Sequence, residues 1–228
     1  MAESRQIVRT LLAAPRFRTR SVLVTRPALE DLRDAVGDVP VYLAPEATIR
    51  AVVGFEFHRG CLAAAERPPD VPVEALLDAR RVLVLERVTN PDNIGAIFRS
   101  ALASGVGGVL LSPGSADPLY RKAIRVSMGG TLRVPFARLA DWPAPLGTLR
   151  AAGFTVVALH PRAALDVAEI AGARAPARVT LLLGTEENGL GAASRAGADL
   201  EVSIRMAPGI DSLNVATAAA IALHRLTG

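Results

Sequence analysis

Cysteine is almost missing from this chain. Cys61 stands alone in 228 residues, so no disulfide can close within one chain and no cysteine-based zinc cluster can form. The three histidines, His58, His160 and His224, are too scattered for a helical metal motif, and no metal is expected. No apolar run approaches the roughly 18 residues of a membrane-spanning helix. The opening Met1-Ala-Glu-Ser-Arg-Gln6 is polar where a secretory signal would be basic and then apolar. These absences exclude a disulfide-stapled secreted domain, a zinc module and a membrane protein, and the expected compartment is the cytoplasm. Lysine is nearly absent too, Lys122 being the only one.

Almost all of the 26 cationic side chains are therefore guanidinium groups, set against 22 carboxylates for a net charge of +4. Arginine forks onto phosphates and stacks on bases, which tilts the chain toward a polyanionic partner. An alanine- and arginine-rich coding bias gives the same composition. With 50% hydrophobic residues the chain can bury a real core, as one large domain or two small ones.

The first unit, residues 1–66, alternates helix and strand. Ser4 caps a helix over 4–13, followed by a strand at 20–25, a helix at 27–36, a strand at 39–43, a helix at 45–53 and a strand at 60–64. Arg16, Arg18 and Arg20, with Phe17 among them, are candidate RNA-binding residues, because arginines with an interleaved aromatic grip phosphates and stack a base. His58 reads as structural. Residues 67–78 hold prolines that suppress regular pairing, and they read as a short linker that limits how the two units can be oriented.

From residue 79 to 228 strands and helices alternate, with strands at 81–86, 108–111, 132–135, 154–159, 179–183 and 199–206 and helices at 94–104, 118–127, 142–152, 190–196 and from 213 onward. The nearly continuous apolar strands are those of a parallel α/β sheet covered on both faces. The alanine- and arginine-rich tract 171–178 reads as a loop.

Three loops carry the candidate chemistry, each following a strand. The first is Thr89-Asn-Pro-Asp-Asn-Ile-Gly-Ala-Ile-Phe-Arg99, in which Asp92 or Asn93 caps the next helix, Gly95 admits close approach and Arg99 lies on the same face. It lacks the Gly-x-Gly-x-x-Gly turn, which disfavours a dinucleotide-dependent oxidoreductase. The second is Leu181-Leu-Leu-Gly-Thr-Glu-Glu-Asn-Gly-Leu190, whose two glycines let a flat ring lie against backbone at a strand's carboxyl end. The third is Asp199-Leu-Glu-Val-Ser-Ile-Arg-Met-Ala-Pro-Gly-Ile-Asp-Ser-Leu-Asn-Val215, where Asp211 or Ser212 caps the last helix and free backbone groups face one point. Each alone is also what an ordinary helix cap looks like.

Together, Asn-x-Gly-x-x-x-Arg, Gly-x-Glu-x-x-Gly-Leu and Ile-x-Met-x-x-x-x-x-Ser-Leu-Asn-Val, in this order, resemble the SpoU (TrmH) family of SPOUT RNA methyltransferases over about residues 81–228. The first unit is similar to the small α/β (L30e-like) substrate-binding domain of many members, with 54–64 matching its final strand region. The resemblance implies an α/β parallel-sheet domain with a C-terminal trefoil knot, which general topology rules would not suggest. It also implies a homodimer with the site at the subunit interface. The implied activity is methyl transfer from S-adenosylmethionine to a ribose 2′-hydroxyl of structured RNA, rRNA ahead of tRNA.

Carried onto this sequence, the family's cofactor pocket falls on Gly184, Glu186, Ile204, Met206, Leu213 and Asn214, and its reaction site on Asn93, Arg99, Ser212, Asn214 and Glu186. Arg99 matches the residue proposed in the family as base. Arginine is a poor proton acceptor, and anchoring a phosphate while stabilising alkoxide charge is the competing role. Either role predicts that Arg99→Lys loses most activity. Position 205 is arginine where the family usually has proline, and the chain starts inside what is usually the first helix of the substrate domain. The alternative from another class is a non-catalytic RNA-binding protein that keeps the knot.

Overall fold

The computed structural model describes residues 1–53, 59–185 and 188–227, without the side chain of residue 173. His58 and the 54–58 part of the family match lie outside the described residues. The described residues form two sheets. The first unit runs β1 (Ala2–Glu3), α1 (Arg5–Leu12), β2 (Thr19–Val24), α2 (Arg26–Leu32), β3 (Val41–Leu43), α3 (Glu46–Val53) and β4 (Cys61–Ala65). Its strands lie in the order β1-β4-β2-β3, antiparallel except for the β2/β3 pair. Ser4 caps α1 through a hydrogen bond that its hydroxyl accepts from Ile7 N at 3.5 Å. Ile7, Val8 and Leu11 then recur along one helix face and are buried.

The second unit runs β5 (Arg81–Leu85), α4 (Pro91–Ala103), β6 (Gly108–Leu111), α5 (Arg121–Val126), β7 (Phe136–Arg138), α6 (Pro145–Ala151), β8 (Thr155–Leu159), β9 (Leu165–Asp166), β10 (Val179–Leu183), α7 (Ala192–Ala196), β11 (Leu200–Ser203) and α8 (Val215–Thr227). Its seven strands lie in the order β7-β6-β5-β10-β8-β11-β9, and every pairing is parallel. Every residue of β10 is buried, as expected of a strand covered on both faces. On one face Leu83, Leu85, Leu181 and Leu183 pack with Ile94, Ile97 and Phe98 of α4 and Ala219, Ala222 and Leu223 of α8. On the other, Val82, Val84 and Leu182 pack with Leu146 and Leu149 of α6. Fully burying each such side chain is worth about 1.5–3 kcal/mol, so the two layers hold the strand ends fixed.

Several sequence expectations are corrected. The cap of α4 is Asn90, whose side chain accepts from Asp92 N at 2.8 Å with Pro91 in the first turn, and neither Asp92 nor Asn93 fills that role. The strand expected at 132–135 is a one-turn helix over Gly130–Leu132, and β7 begins only at Phe136, because Leu132 is drawn into the core of the first unit. The short strands β1 and β9 had no sequence signal.

The linker is also more structured than its prolines suggest. Val73–Leu76 forms a helical turn, and Leu76, only 2% exposed, packs against the sheet. Arg67 pairs with Asp117 at 2.5 Å and Arg138 with Asp70 at 2.7 Å, while Arg178 donates to the carbonyls of Leu77 and Ala79. Between the units, Ile124 and Leu132 enter the first unit's core, and buried Glu3 pairs with Arg121 at 2.8 Å and Arg125 at 3.6 Å. The expectation of a restricted orientation therefore has an atomic basis, in apolar contact and ion pairs rather than linker length alone.

Candidate active site

Ligand sites in open parallel sheets form outside the carboxyl ends of strands where the strand order reverses. Here β6 and β7 lie to one side of β5, and β10, β8, β11 and β9 to the other. At the carboxyl ends of β8, β10 and β11 is a cavity of about 310 Å³, within the roughly 300–1,000 Å³ of small-molecule sites. Its walls come from Leu183, Gly184, Thr185, Asn188 and Gly189 after β10, from Ile204, Met206, Ser212 and Leu213 after β11, and from Leu159, His160, Pro161 and Arg162 after β8. Val215 and Ala218 of α8 close one side. Apolar walls beside strand-end backbone suit a ligand with a flat ring and a few polar groups.

The loop after β10 is closed on itself. Thr185 N donates to Gly189 O at 3.1 Å and Gly189 N to Thr185 O at 3.0 Å. Asn188 N donates to the Thr185 hydroxyl at 2.9 Å. A Cβ on Gly184 would lie 2.1 Å from Gly189 C and 2.3 Å from Leu190 N. Gly184 is therefore required by the loop's own backbone, whereas the sequence reading assigned its openness to a ligand ring. Gly95 is corrected likewise, since a Cβ there would meet Ala123 O at 2.7 Å and Val126 Cβ at 2.8 Å, so that the close approach is that of α5.

The first and third loops meet through two side chains. Asn214 Nδ2 donates to Asn93 Oδ1 at 3.0 Å, while Asn214 Oδ1 accepts from Ala216 N at 2.9 Å and Thr217 N at 3.2 Å. Asn214, not Asp211 or Ser212, is thus the residue that caps α8, and one amide fastens α8 to the start of α4. Asn93 is 9% exposed. Of the expected cofactor residues, Gly184, Ile204, Met206 and Leu213 line one cavity together with Ser212, and Asn214 adjoins it in sequence. Glu186 lies outside the described residues. Arg99 is on the exposed side of α4, and its guanidinium has no hydrogen bond or ion pair among the described residues. Arg205, where the family pattern has proline, uses its N–H to donate to Asp166 Oδ2 at 3.2 Å, a bond proline lacks.

The basic cluster of the first unit is not assembled as expected. Phe17 is 8% exposed in the unit's core, so it offers no face to a base. Arg16 lies 5.0 Å over the Phe136 ring and donates to Pro69 O at 3.1 Å, joining the units. Arg18 and Arg20 are exposed but both pair with Glu66.

Sequence reasoning missed the β8 wall, where no motif marks 159–162. His160 Nδ1 accepts from Arg162 N at 3.3 Å. Burial first, and then the Arg195 and Arg162 guanidiniums against the opposing Glu201 carboxylate, hold its pKa below the ordinary 6.5. Glu86 was missed as well. It directly follows β5, is 7% exposed, and accepts from Gly191 N at 3.3 Å through both oxygens.

Comparison with known proteins follows the same geometry. The profile of the SpoU rRNA Methylase family matches residues 80–224. An uncharacterized tRNA/rRNA methyltransferase of Mycobacterium tuberculosis is 43% identical over 231 residues, covering 100% of this chain and 80% of that protein. The 23S rRNA (guanosine(2553)-2′-O)-methyltransferase RlmP of Bacillus subtilis is 33% identical, over 69% of this chain and 62% of its own length. Among solved structures, the SpoU methyltransferase AviRb from Streptomyces viridochromogenes in complex with AdoMet superposes with a TM-score of 0.86 at 25% identity, over 99% of this chain and 88% of that one.

Proposed function

The chain belongs to the SpoU rRNA methylase family, and from that premise we propose that it transfers a methyl group from S-adenosylmethionine to a ribose 2′-hydroxyl of structured RNA, rRNA ahead of tRNA. The observation that carries the reading is the single cavity shared by Gly184, Ile204, Met206, Ser212 and Leu213, with the Asn93–Asn214 bond beside its last loop. Its volume, apolar walls and strand-end backbone fit a nucleoside joined to a thioether. Leu183, Ile204, Met206 and Leu213 would hold the apolar parts, and Thr185, Asn188 and Ser212 the polar ones. When bound, the cofactor supplies an electrophilic methyl on a sulfonium.

The chain's own residues supply orientation and charge. A ribose hydroxyl is a weak nucleophile until its proton is shared, and the reacting oxygen must be held in line. The Asn93–Asn214 pair, braced by two helices, fixes polar groups at the junction of α4 and α8. Arg99 presents a free fork for the adjacent phosphate and for alkoxide charge as it develops. With a side-chain pKa above about 12, arginine is better suited to that role than to accepting the proton. The apolar walls exclude water from the methyl.

The same reading takes residues 1–66 as the RNA-recognition domain and 79–228 as the methyltransferase domain, with α8 threaded as a trefoil knot and the chain acting as a homodimer. The insertion of β10 between β5 and β8, out of chain order, supports the threading. The test is calorimetry with S-adenosylhomocysteine together with transfer of labelled methyl to total RNA from a strain lacking the gene. Binding and incorporation that depend on Asn93 and Arg99 are expected. RNA binding without cofactor binding would overturn the reading in favour of a non-catalytic RNA-binding protein.

A further inference from the structure

Tyr120 is 57% exposed, whereas Phe17, Phe98, Phe136 and Phe154 are all buried. Its ring is free, yet its backbone is fixed from several sides. Tyr120 N donates to Asp117 O at 3.0 Å, and Tyr120 O accepts from Ile124 N at 3.1 Å to open α5. On one side Leu119 packs against the cores of both units. On the other Arg121 pairs with Glu3, which is 5% exposed, at 2.8 Å. Asp117 is gripped by Arg67 at 2.5 and 3.1 Å, and Lys122 reaches Asp92 Oδ2, next to Asn93, at 2.7 Å. An exposed ring on so rigid a mount sits at the seam between the two units and beside the first turn of α4.

The surroundings indicate what the ring receives. Arg87, at the exit of β5 beside Gly114, and Arg99 on α4 are both exposed and have no ion pair among the described residues. The β5 exit that carries Arg87 is bonded to the segment leading into Tyr120, Ala116 N donating to Val88 O at 2.8 Å, and exposed guanidiniums on the same protein as a bare aromatic suit a nucleic-acid strand, with phosphates on the cations and a base on the ring. Tyrosine also loses little conformational freedom when its ring is covered. We propose that Tyr120 stacks an unpaired nucleobase of the RNA substrate flanking the methylated nucleotide, fixing the strand against the cavity. This rests on the RNA 2′-O-methylation reading above.

The test uses the full-length protein, labelled S-adenosylmethionine and total RNA from a strain lacking the gene. Tyr120→Ala is expected to raise the RNA KM roughly five- to hundredfold, the range of one lost stacked base. Thermal stability and S-adenosylhomocysteine affinity should stay within about twofold of wild type, and Tyr120→Phe should keep the wild-type KM. The salt dependence of kcat/KM should be unchanged in Tyr120→Ala, because no phosphate contact is lost. A wild-type KM in Tyr120→Ala, an equal loss in Tyr120→Phe, or a change of oligomeric state in Tyr120→Ala would overturn the proposal, the last by showing that a second copy covers the ring. A wild-type protein that methylates no RNA would instead overturn the functional reading itself.

Discussion

Replacing Asn214 by alanine removes two separable things. Its Oδ1 accepts from Ala216 N and Thr217 N, capping α8, and its Nδ2 donates to Asn93 Oδ1 at 3.0 Å, tying α8 to α4. Loss of a cap costs about 0.5–2 kcal/mol, and loss of a half-buried neutral hydrogen bond about 1 kcal/mol. Asn214→Ala should therefore lose about 1.5–3 kcal/mol in urea unfolding. Asn214→Asp separates the terms: the carboxylate still caps, and suits the helix N-terminus, but it cannot donate to the Asn93 oxygen. It should lose only about 1 kcal/mol while losing as much methyl transfer as the alanine variant. Urea melts with a common slope, paired with single-turnover transfer, report both quantities. An alanine variant within about 0.5 kcal/mol of wild type, below the smallest cost expected of a lost cap, would refute the capping account. An aspartate variant with full activity would refute the role given to the cross-tie.

Gly184→Ala should cost about 1–3 kcal/mol from forced crowding and at least tenfold in S-adenosylhomocysteine affinity by calorimetry, because its Cβ has 2.1 Å to backbone that cannot move aside. Gly147→Ala, whose Cβ would meet nothing within 4 Å inside α6, should instead stabilise by about 0.5–1 kcal/mol. Because the folded pKa of His160 lies below 6.5, its stability contribution is full above that value and declines as pH falls through it. Melting temperatures between about pH 5 and 8 should show the decline, and His160→Gln should flatten it. Leu76→Ala should cost about 2–5 kcal/mol in urea melts, since the side chain is 2% exposed against the sheet; a surface-linker value near zero would contradict the observed packing.

What the sequence made legible was decided by local pattern. β6 is an uninterrupted apolar segment and β10 is apolar apart from Thr180, and both strands fall at their expected residues, Gly108–Leu111 and Val179–Leu183. Ser4 and the periodic Ile7, Val8 and Leu11 announced α1 in the same way. Long-range contacts decided the failures. Leu132 fits a strand alternation with Val134, but the first unit's core takes it and turns the chain. Gly95 and Gly184 looked like ligand cradles because sequence cannot say which neighbour comes close, and in both cases it is the protein's own backbone. At the candidate site the second and third motifs converge on one cavity, and Asn93 joins them through Asn214. The β8 wall carried no motif, and only the parallel pairing of β8 with β10 and β11 brings His160 there.

The chemistry of the acceptor offers the most direct measurement. Alkaline cleavage of RNA requires a free 2′-hydroxyl, so a ribose carrying the transferred methyl protects its own 3′ linkage. After transfer of labelled methyl to RNA from a strain lacking the gene, complete alkaline hydrolysis should leave the label in resistant dinucleotides, and Arg99→Ala should abolish it. Label recovered in mononucleotides would mean a methylated base and would contradict the account.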